Sequence, residues 1–216
     1  IYKKYTAFYT TTGTYSNRNA RTYWVTNPQT HETYYFVEPI SKGWDLVSDA
    51  SRIFSWNASS TKLVYLSDRR GYPQLQVVDF TKKISTLEGE PLITRNYTVV
   101  DFIVIDNDVY FIANRENLFT YNLYRLSLTT GNLLEKVADN VMYTNALTVS
   151  NQTLLFSLNK NGVGMLAGYS IPVKTTTIFE GISYGELVAT SSRRITTPFF
   201  GRFSQGKQPS KQAIIW

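Results

Sequence analysis

The stretch Phe54–Phe80, FSWNASSTKLVYLSDRRGYPQLQVVDF, decides the fold. Branched and aromatic residues run from Lys62 to Leu66 and again from Gln74 to Phe80, and residues typical of turns separate the two runs. Apolar runs of this kind between clusters of Asn, Ser, Gly and Pro predict β-strands joined by short connections. The stretch therefore predicts two or three strands with polar turns between them.

The same pattern recurs along the chain at a nearly constant spacing. One aromatic residue marks the centre of each corresponding strand, and the spacings between these anchors are 41, 46 and 45 residues for Trp24, Tyr65, Phe111 and Phe156. Each anchor strand is followed by a polar loop and another strand, and is preceded by an apolar strand and a turn. We interpret the anchor strand as the second of four, with Tyr5–Tyr9 as the first strand of the first unit.

Weaker fourth strands are predicted around Ile84, at Leu133–Val137 and at Thr176–Phe179. Four antiparallel strands every 40 to 50 residues are the blade of a β-propeller. The predicted fold is therefore an all-β propeller of about four to five four-stranded antiparallel blades, or a segment of a larger propeller. The predicted units are residues 1–48, 49–94, 95–140 and 141–182, with a partial unit at 183–216. A sandwich of about a dozen strands is the alternative, but it would not require a fixed period.

Composition limits the chemistry. The chain has 216 residues, a net charge of +6, one His and no Cys. Without Cys, and with His31 alone, the sequence lacks the usual ligands of a transition metal, so we expect no metal and no cofactor. The basic residues after Glu186 are scattered and no nucleic-acid motif accompanies them, so we expect no nucleic-acid partner. No apolar run reaches the roughly 20 residues that span a membrane.

Four motifs of the opening stretch resemble the repeat of TolB-type propellers. They are Phe54-Ser-Trp-Asn-Ala, Leu63-Val-Tyr-Leu, Ser67-Asp-Arg-Arg-Gly and Val77-Val-Asp. Trp56 and Ala58 depart from the Pro and Gly that are usual in that repeat. The following unit, with Val109–Asn117 and Asn122–Leu128, is similar to blades of the dipeptidyl peptidase IV N-terminal propellers in the prolyl oligopeptidase family. This resemblance implies a propeller that filters or positions peptides beside a separate α/β-hydrolase domain.

One motif of that hydrolase domain has a counterpart here. Gly181-Ile-Ser-Tyr-Gly matches G-x-S-x-G, the nucleophile elbow, which needs a strand before it, a helix after it and a His later in the chain. His31 comes long before Ser183, and only 31 residues follow Gly185. We therefore predict a Gly-rich turn between blades and no catalytic residue in this chain.

Corresponding loops of stacked blades lie at one end of a propeller, and this end commonly binds partners. Arg and Tyr are frequent among the energetic anchors of interfaces. The predicted binding residues are His31, Arg69, Arg70, Tyr72, Arg115, Glu116, Phe119 and Tyr121, with Lys160 nearby. The alternative is that Arg69 and Arg115 only brace their own loops. The N-x-S/T sequons make Asn57, Asn96 and Asn151 candidate glycan acceptors, or chance matches in a chain rich in Asn and Thr.

Three functions follow as hypotheses. The first is a non-catalytic propeller that binds a protein or peptide through its loop face. The second is the substrate-gating propeller of a dipeptidyl peptidase IV-like serine peptidase whose hydrolase domain lies outside this chain. The third is an extracellular carbohydrate-binding or glycosidase-like propeller. We expect the chain to be secreted or to face the outside of the cell, including periplasmic or lumenal ectodomains.

Overall fold

A computed structural model of the chain describes residues 5–14, 17–39, 53–82, 89–93, 96–130, 134–142 and 147–183. These residues form fifteen strands, and no helix of membrane-spanning length and hydrophobicity occurs among them. The strands are β1 Thr6–Thr14, β2 Asn17–Thr26, β3 Thr33–Pro39, β4 Phe54–Trp56, β5 Lys62–Ser67, β6 Gln74–Asp79, β7 Glu90–Pro91, β8 Val99–Ile105, β9 Asp108–Asn117, β10 Thr120–Ser127, β11 Leu134–Val141, β12 Thr148–Ser150, β13 Thr153–Lys160, β14 Val163–Ser170 and β15 Thr175–Ser183. The prediction of an all-β chain is confirmed.

The described strands form three antiparallel sheets of three, four and eight strands. The eight-stranded sheet divides into two groups of four, and we call the resulting four groups blades 1 to 4. Blade 1 contains β1–β3, blade 2 contains β4–β7, blade 3 contains β8–β11 and blade 4 contains β12–β15. Within each blade, strands that follow one another in sequence pair in space. Blades 3 and 4 are also joined at their edges, where Val141 of β11 pairs with Leu158 of β13.

Strand periodicity explains why the central blades are apolar on both faces. Leu63 and Tyr65 of β5 belong to a core shared with blade 1, whereas Val64 and Leu66 belong to a core shared with blade 3. Side chains alternate between the two faces of a strand, so a blade covered on both sides needs an uninterrupted apolar run. Three such cores lie between the four blades, and they hold the stack together.

Tight hairpins set the register within the blades. Asn151 and Gln152 connect β12 to β13 with φ values of 47° and 59°, and Asn161 and Gly162 connect β13 to β14 with φ values of 56° and 83°. Two-residue hairpins of type I′ require positive φ at both central residues, and Asn and Gly reach that region at little cost. These residues therefore fix the pairing of three strands in blade 4.

Blade 1 is offset by one strand from the predicted arrangement. The ring centroids of Tyr5 and Trp56 lie 6.1 Å apart, and those of Tyr34 and Phe80 lie 6.4 Å apart, whereas Glu38 at the far end of β3 contacts the connection between β5 and β6. This means that β1 runs in the same direction as β5, the second strand of its blade.

The interpretation of Tyr5–Tyr9 as a first strand, and of Trp24 as a second-strand anchor, is therefore wrong. In the stack β1 occupies the second position, β2 the third and β3 the fourth. The second and third strands of a blade share the same alternation of apolar residues, so periodicity did not distinguish them. Among the described residues, no strand pairs with the free edge of β1.

Two of the predicted fourth strands are confirmed. The region Leu133–Val137 corresponds to β11, and Thr176–Phe179 lies within β15. Ile84 lies outside the described residues, as do the proposed strands 186–190 and 213–216, and the described fourth strand of blade 2 is β7. The turn predicted at Gly181–Ser183 is wrong for these three residues, because β15 continues through Ser183, which pairs with Met165.

Candidate functional site

Three connections between second and third strands define the loop end of the stack: β5–β6, β9–β10 and β13–β14. Blades 2 and 3 are aligned at this end, where the backbone N–H of Val99 donates to the carbonyl of Pro73 at 2.9 Å. At the opposite end, which we call the turn end, the side-chain amide of Asn57 donates to the side-chain oxygen of Asn107 at 3.0 Å. The blades therefore run in parallel from one end to the other.

His31 is not at the loop end. It lies in the β2–β3 connection with a φ of 60°. The offset of blade 1 brings this connection to the turn end, where Tyr34 at the start of β3 lies against Phe80. The other seven predicted binding residues lie on or next to the loop-end connections of blades 2 and 3. Lys160 lies there in blade 4, at the exposed end of β13.

Arg69 is part of a buried polar cluster between blades 1 and 2. Its Nε donates to Glu38 Oε1 at 2.8 Å and one of its terminal nitrogens donates to Glu38 Oε2 at 2.6 Å. The same fully buried carboxylate accepts from the hydroxyls of Tyr65, at 3.2 Å, and Ser67. Two charge-assisted bonds from one guanidinium to one carboxylate form a geometrically specific pair. Arg69 therefore joins two blades rather than bracing its own loop.

The electrostatics of this cluster follow from its burial. Arg21 and Asp68, both fully buried, form an ion pair of 3.9 Å beside it. Burial, reinforced by the neighbouring Glu38 carboxylate, raises the pKa of the Tyr65 phenol well above its ordinary value. Tyr65 is therefore a neutral hydrogen-bond donor at physiological pH, and the cluster is structural.

Arg70 and Tyr72 lie on the exposed side of the β5–β6 connection. The Tyr72 hydroxyl donates to Asn96 Oδ1 at 2.7 Å, so it joins this connection to the link between blades 2 and 3. Arg70 is exposed. Of the three predicted residues in this connection, Arg70 thus has the most accessible side chain.

Arg115 and Glu116 were predicted in a loop, but they lie in β9, which continues to Asn117. The Arg115 guanidinium lies 6.0 Å from the centroid of the Tyr124 ring, a cation–π distance. Glu116 accepts from Lys136 Nζ and from Asn122 Nδ2, both at 3.3 Å. Arg115 is half-buried, whereas Glu116 is exposed. Their contacts fix the orientation of the β9–β10 hairpin.

The tip of that hairpin is the most exposed apolar feature of the loop end. Phe119 is 92% exposed and Leu118 is 77% exposed. The side-chain oxygen of Asn117 accepts from the backbone N–H groups of Phe119, at 2.7 Å, and Thr120, at 3.0 Å. This Asx-type turn holds both apolar side chains out into solvent.

A groove of about 510 Å³ lies beside the hairpin tip, between blades 3 and 4. Its volume lies within the range of small-molecule pockets, about 300–1,000 Å³. Its lining combines aromatic and apolar residues with three asparagines. The lining residues are Phe119, Thr120, Tyr121, Asn140, Val141, Met142, Asn159 and Asn161. Of the predicted residues, only Phe119 and Tyr121 line this groove.

The other lining residues, and Leu118, were missed in the sequence. Asn140 has a φ of 54° at an irregularity of the β10–β11 pairing, and Asn161 has a φ of 56° in a hairpin. Asn at such positions is usually explained by backbone geometry, so its side chain was not recognised as part of a surface. Glu38 was missed because nothing in the local sequence indicates its partner 31 residues away.

The three sequon asparagines differ in exposure. Asn57 is only 4% exposed, and its side chain bonds to Ser59, Thr61, Lys62 and Asn107. This burial argues against Asn57 as a glycan acceptor. Asn96 and Asn151 are exposed, at the loop end and the turn end respectively.

The described residues contain no cluster of three or more His, Asp or Glu side chains that could hold a metal ion. The backbone of Ser183 lies in an antiparallel strand pair, not on the strand-to-helix turn that a nucleophile elbow requires. The loop end therefore offers recognition by shape, aromatic contact and amide hydrogen bonds.

Comparisons with known proteins identify the family. The family model of the dipeptidyl peptidase IV (DPP IV) N-terminal region matches residues 7–166. Dipeptidyl peptidase 4 from Porphyromonas gingivalis has a similar structure, with a TM-score of 0.54 and 11% sequence identity over 81% of this chain and 24% of that chain. TolB from Acinetobacter baumannii gives a TM-score of 0.47 and 11% identity over 81% of this chain and 41% of that chain. A search of the curated proteins found no match.

This chain spans less than half the length of either solved structure. At such low identity the likeness to the dipeptidyl peptidase 4 structure shows the fold alone, and it confirms the prediction of a β-propeller. The family match covers most of the chain, and it confirms the resemblance that the repeat motifs indicated. The chain belongs to the family of dipeptidyl peptidase IV N-terminal regions.

Proposed function

We propose that the chain is a non-catalytic propeller domain that binds a protein or peptide at its loop end, in the groove beside Leu118 and Phe119. The observation that carries this proposal is the rigid display of these two side chains, 77% and 92% exposed, at the rim of a groove of about 510 Å³. Covering a side chain of this size removes apolar area from water and contributes about 1.5–3 kcal/mol. A hairpin fixed before binding also loses little entropy when a partner covers it.

The chemistry of the groove favours an extended peptide. Asn140 and Asn161 supply amides that can donate and accept hydrogen bonds, as the main chain of a peptide does. Asn159 supplies its Nδ2 donor, because its Oδ1 already accepts from the Gly162 N–H at 2.8 Å. Phe119 and Tyr121 supply aromatic surface for an apolar side chain of that peptide. This combination supports recognition of main chain together with one or two apolar side chains.

The second candidate is a substrate-gating propeller of a serine peptidase. Family membership favours it, because the matching model describes the N-terminal region of a dipeptidyl peptidase. In that case the loop end positions a peptide for a hydrolase domain outside this chain. If the gene also encodes a hydrolase domain, peptide hydrolysis by that product, lost when its nucleophilic serine is replaced, would support this candidate over a pure binding module.

A location outside the cytoplasm is part of the proposal. Asn96 and Asn151 are exposed sequon residues, and both can accept a glycan without disturbing a core. Expression in a glycosylating secretory host should add mass that enzymatic deglycosylation removes, and Asn96→Gln and Asn151→Gln should each remove one increment. An unchanged mass in the wild type would count against use of these sequons.

The direct test of the binding module is selection from a phage-displayed peptide library on the immobilised chain. We expect recovered peptides to share an apolar residue and to lose binding at least tenfold to Phe119→Ser. Val173→Ser is the matched control, because Val173 is 68% exposed at the β14–β15 turn, away from the loop end. Failure to enrich any peptide, or equal binding by wild type and Phe119→Ser, would overturn the proposal. Displacement by free sugars would favour the carbohydrate-binding hypothesis instead.

A further inference from the structure

The hairpin between β13 and β14 contains the one Asn-Gly pair of the sequence, Asn161-Gly162. Both residues are exposed at the loop end, with φ values of 56° and 83°. Asn is one of the thermolabile residues of proteins. Its side-chain amide can react with the main-chain nitrogen of the next residue, and a glycine in that next position has no Cβ atom to shield the nitrogen. The pair therefore places a reactive amide beside an unshielded nucleophile on exposed main chain.

The reaction open to such a pair is deamidation. The main-chain nitrogen of Gly162 gives up its proton and bonds to Cγ of Asn161, and the bond from Cγ to the side-chain nitrogen breaks. The side-chain nitrogen takes up the proton and leaves as ammonia, so a succinimide ring remains. Water then opens the ring at either carbonyl, which leaves aspartate or isoaspartate at position 161. Overall one water is consumed and one ammonia is released, and no redox partner takes part.

The folded hairpin opposes this reaction through Asn159. The main-chain N–H of Gly162 donates to Oδ1 of Asn159 at 2.8 Å. This hydrogen bond must break before the nitrogen can lose its proton and attack Cγ of Asn161. The pairing of Lys160 with Val163 closes the two-residue turn and limits rotation of the main chain between them. Asn159 thus restrains the nucleophile of the reaction.

The β12–β13 turn supplies a comparison within the same blade. It also consists of two exposed residues with positive φ, Asn151 at 47° and Gln152 at 59°. The nitrogen that follows Asn151 belongs to Gln152, whose side chain shields it, whereas Gly162 has no side chain. Two exposed turns of the same kind therefore differ in the accessibility of the nucleophile.

We propose that Asn161 is a site of spontaneous deamidation, and that Asn159 sets its rate by holding the Gly162 N–H. Water is the only reactant that the site takes up. The reaction would turn a neutral amide in the lining of the groove beside Phe119 into a carboxylate, and isoaspartate would lengthen the main chain within a two-residue hairpin. Deamidation needs no ligand in the groove, so it can be measured whether or not the groove binds a peptide.

The test is incubation of the folded 216-residue chain at mildly alkaline pH, followed by mass spectrometry of proteolytic fragments and enzymatic methylation of isoaspartate. We expect faster conversion at Asn161 than at Asn151, the control within the same molecule. Asn159→Ala should accelerate conversion at Asn161 about two- to tenfold, the equivalent of the roughly 0.5–1.5 kcal/mol that a typical hydrogen bond contributes. Asn159→Asp keeps the acceptor oxygen, so its rate should not exceed that of the wild type. Gly162→Asn keeps a residue that tolerates positive φ and adds a side chain, so conversion at Asn161 should slow.

Far-UV circular dichroism identifies variants that fail to fold. If Asn159→Ala is one of them, the wild-type chain with and without urea replaces this comparison, and we expect faster conversion in urea. Conversion at Asn161 no faster than at Asn151 would overturn the site. Equal rates in the wild type and Asn159→Ala, or in the folded and unfolded wild type, would overturn the role of Asn159.

Discussion

Replacing Arg69 by Ala tests the buried connection between blades 1 and 2. The change leaves the Glu38 carboxylate fully buried, with the hydroxyls of Tyr65 and Ser67 as remaining donors. Removing one partner of a fully buried ion pair costs about 3–5 kcal/mol. Arg69 keeps 29% of its side chain exposed, so water can solvate part of the site, and we expect a smaller loss of about 2–3 kcal/mol.

The assay is urea denaturation followed by circular dichroism, together with the melting temperature. For a chain of this size, a loss of about 2–3 kcal/mol corresponds to a decrease in melting temperature of about 4–12 °C. Arg70→Ala is the control, because Arg70 neighbours Arg69 in sequence but has an exposed side chain. This substitution should change the free energy of unfolding by less than about 0.5 kcal/mol. Equal effects of the two substitutions would refute the reasoning, because Arg69 would then contribute no more than a surface residue.

Three further predictions concern the turn end, the alkaline limit and blade 4. Asn57→Ala should lower the free energy of unfolding by about 1–3 kcal/mol in urea denaturation, because it removes the side-chain acceptor of two backbone N–H groups and the hydrogen bond to Asn107. A loss below about 0.5 kcal/mol would contradict the role of Asn57 in joining blades 2 and 3 at the turn end. Burial raises the pKa of Tyr110 to about 12, so the neutral phenol's contribution to stability is complete below the unfolded-state pKa near 10 and is lost as the pH rises through about 12. The urea concentration at the unfolding midpoint should therefore fall above pH 10. A midpoint that rises above pH 10 would contradict this prediction. Gly168→Ala should destabilise by about 1–3 kcal/mol in the same assay, because the new methyl group meets Thr153 Cγ2 at 3.0 Å and the Phe179 ring at 3.1 Å. A neutral effect would contradict this prediction.

Much of the fold followed from the sequence because the central blades are covered on both sides. The run from Leu63 to Leu66 and the run from Val109 to Ala113 are apolar at every position, so strands and their spacing were evident. The order of strands in blade 1 did not follow, because β1 and β2 alternate in the same way and the local pattern does not record which neighbour each strand packs against. The position of His31 depended on that order and was wrong for the same reason.

The candidate site was less predictable than the fold. Phe119 and Tyr121 were predicted because they lie in or beside a connection between second and third strands, and corresponding connections lie at one end of a propeller. Arg69 met the same criterion, but its partner Glu38 comes from another blade and makes Arg69 structural. The asparagines of the groove carry no compositional signal, because Asn is common wherever the backbone needs a positive φ. Only the stacking of blades 3 and 4 brings their side chains together.

The central claim is that four blades stack in parallel, with blade 1 offset by one strand and its His31 connection at the turn end. The chain has no Cys, so two introduced cysteines can each carry one spin label. Double electron–electron resonance then measures the distance between the two labels. Ala58 and Arg70 are exposed residues at opposite ends of β5, whose six residues span about 20 Å. The structure predicts a shorter distance from residue 31 to residue 58 than from residue 31 to residue 70. The reverse order would place His31 at the loop end and contradict the account.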